Sequence, residues 1–237
     1  MPDLRPNPTL CLEYRAEQPI HHAFLEQAGH CPDAIAIHAQ HTTCSYAQLA
    51  QISQGIAAYL VENAASGTDR VVIVASRCAA LVYAMLGCLR AGLAFTVADA
   101  AYPPARIAQI VRTLGPAVVL RCGEATVDTD CPLVVTVPQA PADALQAFPN
   151  LPVALPAVNP EHPAYITFTS GSTGEPKGIV THHAPLVHFI DWHVRRHRFS
   201  QADTFSLLSG LGHDPVYRDV FTPLSIGATI ACPAQPT

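Results

Sequence analysis

The segment Phe168-Thr169-Ser170-Gly171-Ser172-Thr173-Gly174-Glu175-Pro176-Lys177-Gly178 gathers three glycines, four hydroxyls and one lysine directly after the β-rich run Ala164-Tyr165-Ile166-Thr167. So little apolar bulk does not bury itself in a core. A glycine-rich turn after a strand can aim several backbone N–H groups into one concavity, which makes a nest for an anion. Gly171, Gly174 and Gly178 permit the backbone angles such a turn needs. Thr169, Ser170, Ser172 and Thr173 add hydroxyl donors, and Lys177 adds a mobile positive charge. At 4 Å and an effective dielectric near 20, one ion pair contributes about 4 kcal/mol before desolvation is subtracted. The chemistry suits a polyphosphate. The spacing is neither that of a Walker A loop, which needs Gly-Lys-Ser/Thr after four residues, nor GxGxxG. A solvated glycine-serine surface turn is the plain alternative, and the combined hydroxyls, glycines and Pro-Lys-Gly favour the nest.

A second constellation is Gly212-His213-Asp214-Pro215-Val216-Tyr217-Arg218-Asp219-Val220-Phe221. Asp followed by Pro reads as a helix start, with Asp214 as N-cap and Pro215 in the first helical position. Arg218 and Asp219 read as a local salt bridge. The histidines His182, His183, His188, His193 and His197 resemble metal ligands in type, and the last two are spaced i, i+4. Lacking an acidic or cysteine partner at suitable spacing, they read as solvated or packed side chains, and no metal ligand is assigned. Arg195-Arg196-His197-Arg198 reads as a charged helix C-terminus, which suits the helix dipole.

Strands alternating with helices must position these groups. Helical spacing runs from Ile20 to Gly29, and Ala34–Ile37 reads as a strand. Ser45 with Gln48 is a capping box opening a helix through Leu49, Ile52, Ile56 and Leu60. Then follow strand 71–75, helix 79–91, strand 94–98, a helix opened by Pro103-Pro104 and closed by Gly115, and strands 118–120 and 133–137. The stretch 138–160 is rich in Pro and Ala. Beyond it come strand 164–169, the glycine loop, strand 179–181, helix 185–197, strand 204–208, a helix after Asp214, and a strand at 228–231. This order predicts an α/β fold with mixed, mostly parallel sheets flanked by helices. The expected organisation is a lead-in over 1–18, a first α/β subdomain over 19–137, a connection over 138–160, and the start of a second α/β subdomain over 161–237.

Of the 237 residues, 49% are hydrophobic, enough for a sizeable core, and the formal net charge is −5. That balance argues against nucleic acid as partner. The eight cysteines show no CxxC spacing and read as reduced, mostly buried thiols of a cytoplasmic protein. The N-terminus has no apolar signal region. Val71–Ala98, the most apolar stretch, is interrupted by Arg77, Arg90 and Gly92, so it reads as strand-helix-strand and no membrane partner is expected.

The run Thr169 to Gly178 resembles the phosphate-loop signature of the adenylate-forming superfamily, which includes acyl-CoA synthetases, luciferases and adenylation domains of nonribosomal peptide synthetases. Other stretches agree in the right order. Ile20-His21 through Ile35-Ala36-Ile37 resembles the family's opening, and Cys44–Leu49 its "TYxEL" helix start. Leu89–Phe95 resembles "LKAGxAY", and Tyr102-Pro103 with Arg106 the "DPxYPxxR" that follows. The resemblance spans about residue 19 to the C-terminus and is nearest the peptide-synthetase branch. It implies the large N-terminal domain of such an enzyme, incomplete, with ATP and Mg²⁺ as cofactors. Thr169, Ser170, Gly171, Ser172, Thr173, Gly174 and Lys177 would bind the phosphates. Asp214 would pair with a substrate α-ammonium group, compatibly with a capping role, and His213 would wall the substrate pocket in place of the usual aromatic residue. Asp99 falls in a family motif and reads as turn structure. The implied partners are an amino acid or other small carboxylic acid and a carrier-protein thiol. The chain matches roughly the first half of such a domain and is expected to adenylate nothing alone. Acyl-CoA-synthetase-like activation and a non-catalytic interaction module stand as alternatives.

Overall fold

Ser45 and Gln48 do what their spacing predicts. The Gln48 amide donates to Ser45 Oγ at 3.2 Å, and the Ser45 amide donates to Gln48 Oε1 at 3.0 Å. The computed structural model describes residues 17–39, 42–64, 69–123, 125–127, 129–170 and 176–233. In chain order its elements begin α1 (Ile20–His30), β1 (Ile35–Ala39), β2 (Thr42–Ser45), α2 (Tyr46–Asn63), β3 (Arg70–Ala75), α3 (Ala79–Arg90), β4 (Ala94–Asp99), α4 (Pro104–Leu114) and β5 (Val118–Cys122). They continue with β6 (Val134–Val137), α5 (Pro141–Ala147), β7 (Pro163–Ser170), β8 (Pro176–His182), α6 (His183–His197), β9 (Thr204–Ser206), α7 (Pro215–Ser225) and β10 (Thr229–Ala231).

Two sheets result. The larger runs β6-β5-β3-β4-β7-β8 and is parallel except for the antiparallel pair β7/β8. The smaller runs β2-β1-β10-β9 and is parallel except for β1/β2. The fold is therefore the mixed, mostly parallel α/β arrangement the alternation predicts. Each sheet takes strands from both sides of the 138–160 connection.

Side-chain alternation along β3 explains its unbroken apolar sequence. Val71, Ile73 and Ala75 enter the core that also holds α2 and α3, whereas Val72 and Val74 enter the core under α4. A parallel strand covered on both faces needs apolar residues at every position. Helix α4 supplies its half with Ile107, Ile110, Val111 and Leu114, and stops where Gly115 takes φ +57°. Cys44, Cys78, Cys88, Cys122 and Cys232 are buried free thiols, and burial pushes Cys44 up to about 11.

Three local readings change. The Pro/Ala-rich connection contains α5, started by Pro141 in its first turn, a position where proline's missing N–H costs nothing. Strand β9 ends at Ser206 rather than Leu208, because the carbonyls of Leu208 and Ser209 turn to the Arg77 guanidinium. Asp214 does not cap α7 with its side chain. Its backbone is already helical, at φ −49° and ψ −35°, whereas a capping side chain works from an extended residue.

Helix α5 lies so close to α2 that a Cβ on Gly55 would stand 2.0 Å from the Phe148 carbonyl oxygen. That neighbour is backbone and cannot swing away. Overpacking there costs about 3 kcal/mol, against about 1 kcal/mol of regained helix propensity. Gly55→Ala is therefore expected to destabilise the protein by about 2 kcal/mol, read as a lower urea midpoint at unchanged slope.

Candidate active site

The phosphate-loop sequence is the turn of a hairpin. Strands β7 and β8 pair antiparallel from Pro163 opposite His182 to Ser170 opposite Pro176. Directly opposed residues on such a ladder share a face, so Thr169 and Lys177, which are partners, present a hydroxyl and an ammonium together at the hairpin's open end. Both are exposed. Gly171, Ser172, Thr173 and Gly174 lie outside the described residues, as does the Ser170 side chain. Gly178 is needed by packing: an added Cβ would stand 3.1 Å from Ile166 Cγ2.

Four residues before Thr169 on the same strand face is Tyr165, about 13 Å along β7 at the usual rise per residue. Tyr165 is 6% exposed and stacks on Tyr217 of α7, with ring centroids 3.9 Å apart. Tyr217 in turn meets Phe95 edge-on at 5.8 Å. This aromatic stack fixes α7 against the sheet. Beside it opens a cleft of about 270 Å³ lined by Tyr165, Pro185, Leu186, Phe189, Asp214, Pro215 and Arg218. The Asp214 carboxylate stands at its mouth, exposed. Burial chiefly, with the negative charge of Asp214 adding to it, pushes the Tyr165 phenol up to about 12.

The loop leading into α7 is tied from two sides. Arg77, after β3, donates to the Ser209 carbonyl at 3.0 Å and the Leu208 carbonyl at 3.3 Å. Asp219, one turn into α7 and buried, accepts the Ser209 amide on Oδ2 at 3.1 Å. Its Oδ1 accepts from Arg218 Nη2 at 2.8 Å and Nε at 3.1 Å, the salt bridge expected from sequence. The backbone from 207 to 214 is thus held where Asp214 meets the cleft.

The structure brings Asp214 to the cleft but not His213. That ring is exposed and stands over Gly210, where a Cβ would lie 2.9 Å from its Cδ2. Asp99 accepts the Ala101 amide on Oδ1 at 2.9 Å, an Asx turn. The histidines are packed in two groups. His183 pairs edge-on with His21, centroids 5.9 Å apart, and His193 lies against His197 and Phe199. Sequence reasoning missed Tyr165, Tyr217, Arg77, and the cleft-facing place of Arg218. The one signal for Asp219 was a carboxylate on an otherwise apolar face with Val216, Val220 and Phe221. Among the described residues no helix is long and apolar enough to cross a membrane.

The family model described as "AMP-binding enzyme" matches residues 24–237. The L-2-aminoadipate reductase of Schizosaccharomyces pombe is 30% identical over 266 residues, an alignment that covers 96% of this chain and 19% of that protein. Bacitracin synthase 3 of Bacillus licheniformis is 32% identical, covering 89% of this chain and 3% of its own length. The crystal structure of the nonribosomal peptide synthetase FmoA3 (S1046A) in its AMPPNP-bound form superposes with a TM-score of 0.83 at 30% identity, over 94% of this chain and 23% of that one. This chain accordingly spans a fifth or less of these first relatives, and it belongs to the AMP-binding enzyme family.

Proposed function

We propose that this chain is the N-terminal portion of an ATP-dependent adenylating domain that activates an amino acid. The reaction joins a carboxylate oxygen to the α-phosphorus of ATP and breaks its bond to the β-phosphate bridge, giving aminoacyl-AMP and pyrophosphate. The observation that carries the reading is Asp214: an exposed carboxylate, not used in capping, at the mouth of a cleft with apolar walls. An ammonium group is its natural counter-charge. Family membership supports the nucleotide, and the FmoA3 complexes with AMPPNP and with α-methyl-L-serine-AMP support an amino-acid acyl group. The relatives' names support transfer onward to a carrier-protein thiol in peptide synthesis. The free buried thiols suit a cytoplasmic setting.

Both reactants are anions, so catalysis consists mostly of positioning and charge neutralisation. Thr169 and Lys177 at the hairpin mouth suit the β- and γ-phosphates, with Ser170, Gly171, Ser172, Thr173 and Gly174 completing the loop. Strand β7 then sets the distance from phosphates to acyl cleft, since it carries Thr169 at one end and Tyr165 at the other. Mg²⁺ accompanying ATP would neutralise phosphate charge. Among the described residues no three His, Cys, Asp or Glu side chains converge, so the ion would rest chiefly on phosphate oxygens.

The test is amino-acid-dependent ATP–pyrophosphate exchange by the complete adenylating unit that carries residues 1–237; the chain alone is expected to give none. A folded complete unit that exchanges with no carboxylic acid overturns the proposal and favours an interaction module. Lys177→Ala is expected to raise the KM for ATP about 10- to 100-fold, the range for one charged hydrogen bond. An unchanged KM removes Lys177 from the phosphate site.

A further inference from the structure

We infer that the acyl cleft is built for an amino acid with an anionic side chain, and that Arg218 is its counter-charge; this rests on the amino-acid reading above. Asp214 and Arg218 lie four residues apart at the start of α7, the spacing that sets two side chains on one helix face. Both line the same cleft. Its remaining walls are apolar or aromatic, from Tyr165, Leu186 and Phe189 among others. A carboxylate and a guanidinium on one small cleft complement a ligand carrying an ammonium and a second carboxylate. The α-carboxylate is then left for the nucleotide.

Asp219 does not use up the guanidinium. Nε and Nη2 both donate to the single oxygen Oδ1, which leaves Nη1 without an acceptor among the described residues. The Arg218 side chain is 41% exposed and that of Asp219 9%, so the cation lies on the open side of the pair. Asp219 is itself fixed by the Ser209 amide. The fork is therefore held in one orientation, which suits the planar recognition of a carboxylate by arginine. A neutral apolar side chain in this cleft would strip water from Arg218 and return no hydrogen bond, an arrangement that disfavours it.

The test is pyrophosphate exchange by the complete unit with aspartate, glutamate and their one-carbon-longer homologue, each beside a neutral analogue of equal length. The acid is expected to exceed its neutral partner in kcat/KM by about 100-fold, the size of one lost charged hydrogen bond. Arg218→Gln alone would leave Asp219 buried without its partner, so the double variant Arg218→Gln/Asp219→Asn is the cleaner probe, and its fold is checked by circular dichroism. It is expected to bring the acid-to-neutral ratio close to one, while Arg218→Lys keeps part of it. A neutral amino acid preferred by the parent, or a ratio unmoved in the double variant, overturns the inference and leaves amino-acid activation standing. Absence of exchange with every amino acid overturns both.

Discussion

Replacing Asp214 with alanine is expected to lower kcat/KM for the amino-acid substrate about 100-fold in the complete adenylating unit, while the des-amino analogue loses little. An ammonium brought to the cleft mouth gives up water and needs a fixed anion in exchange. Hydrogen bonds between charged groups contribute about 1.5–3 kcal/mol, and each 1.4 kcal/mol is tenfold. The helix-capping alternative makes a different forecast. A lost cap would weaken α7 for both substrates alike, and the Asp214 side chain makes no capping bond to lose. Equal loss on the amino acid and its des-amino analogue would remove Asp214 from the substrate site. Asp214→Asn adds a second discrimination: it keeps size and polarity, so its activity should stay close to that of the alanine variant if charge is what matters.

Acid is expected to destabilise the fold steeply through two buried imidazoles. His21 is 8% exposed and His183 1%. Burial chiefly, with the neighbouring His183 and Arg90 assisting, pulls His21 down to about 3. Burial, then His162 and His182, pulls His183 down to about 4. There is a specific reason for His183 to stay neutral: its Nδ1 accepts the Ile20 amide at 3.2 Å, and a protonated Nδ1 has no lone pair to offer. That amide opens α1, whose N-cap Pro19 makes no side-chain cap. Both folded-state values lie below the unfolded value, so the unfolded chain binds protons first as pH falls below about 6.5. Stability is then full above pH 6.5 and declines toward pH 3–4, where the slope from these groups ends. At pH 4.5 the two together cost about 5 kcal/mol by linkage, comparable with the whole stability of an ordinary domain. Urea midpoints at pH 7 and pH 4.5 measure this. His21→Phe should remove roughly half of the difference; a His21→Phe protein with the parent's full pH dependence would contradict the assignment.

Much of the fold was legible because its signals are local. The Ser45–Gln48 box, Pro104 and Gly115 at the two ends of α4, and the doubly apolar β3 each act within one or two turns of chain. The helix in the Pro/Ala-rich connection was missed because its seven residues carry too few apolar positions to show a period, and it is held instead by contact with α2. The histidines misled by type: His183 looks like a ligand in sequence and serves as a cap for a helix 163 residues away.

The sequence by itself determined the order of strands and helices, the hairpin that carries Thr169 and Lys177, and the family chemistry those residues resemble. Which charges share a site was decided only by the tertiary structure. The stack of Tyr165 on Tyr217 sets α7 against β7, Arg77 and Asp219 hold the loop before it, and only then do Asp214 and Arg218 face one cleft. The reason is physical: periodicity and capping are properties of neighbours along the chain, whereas a cleft is made by side chains that meet across more than a hundred residues.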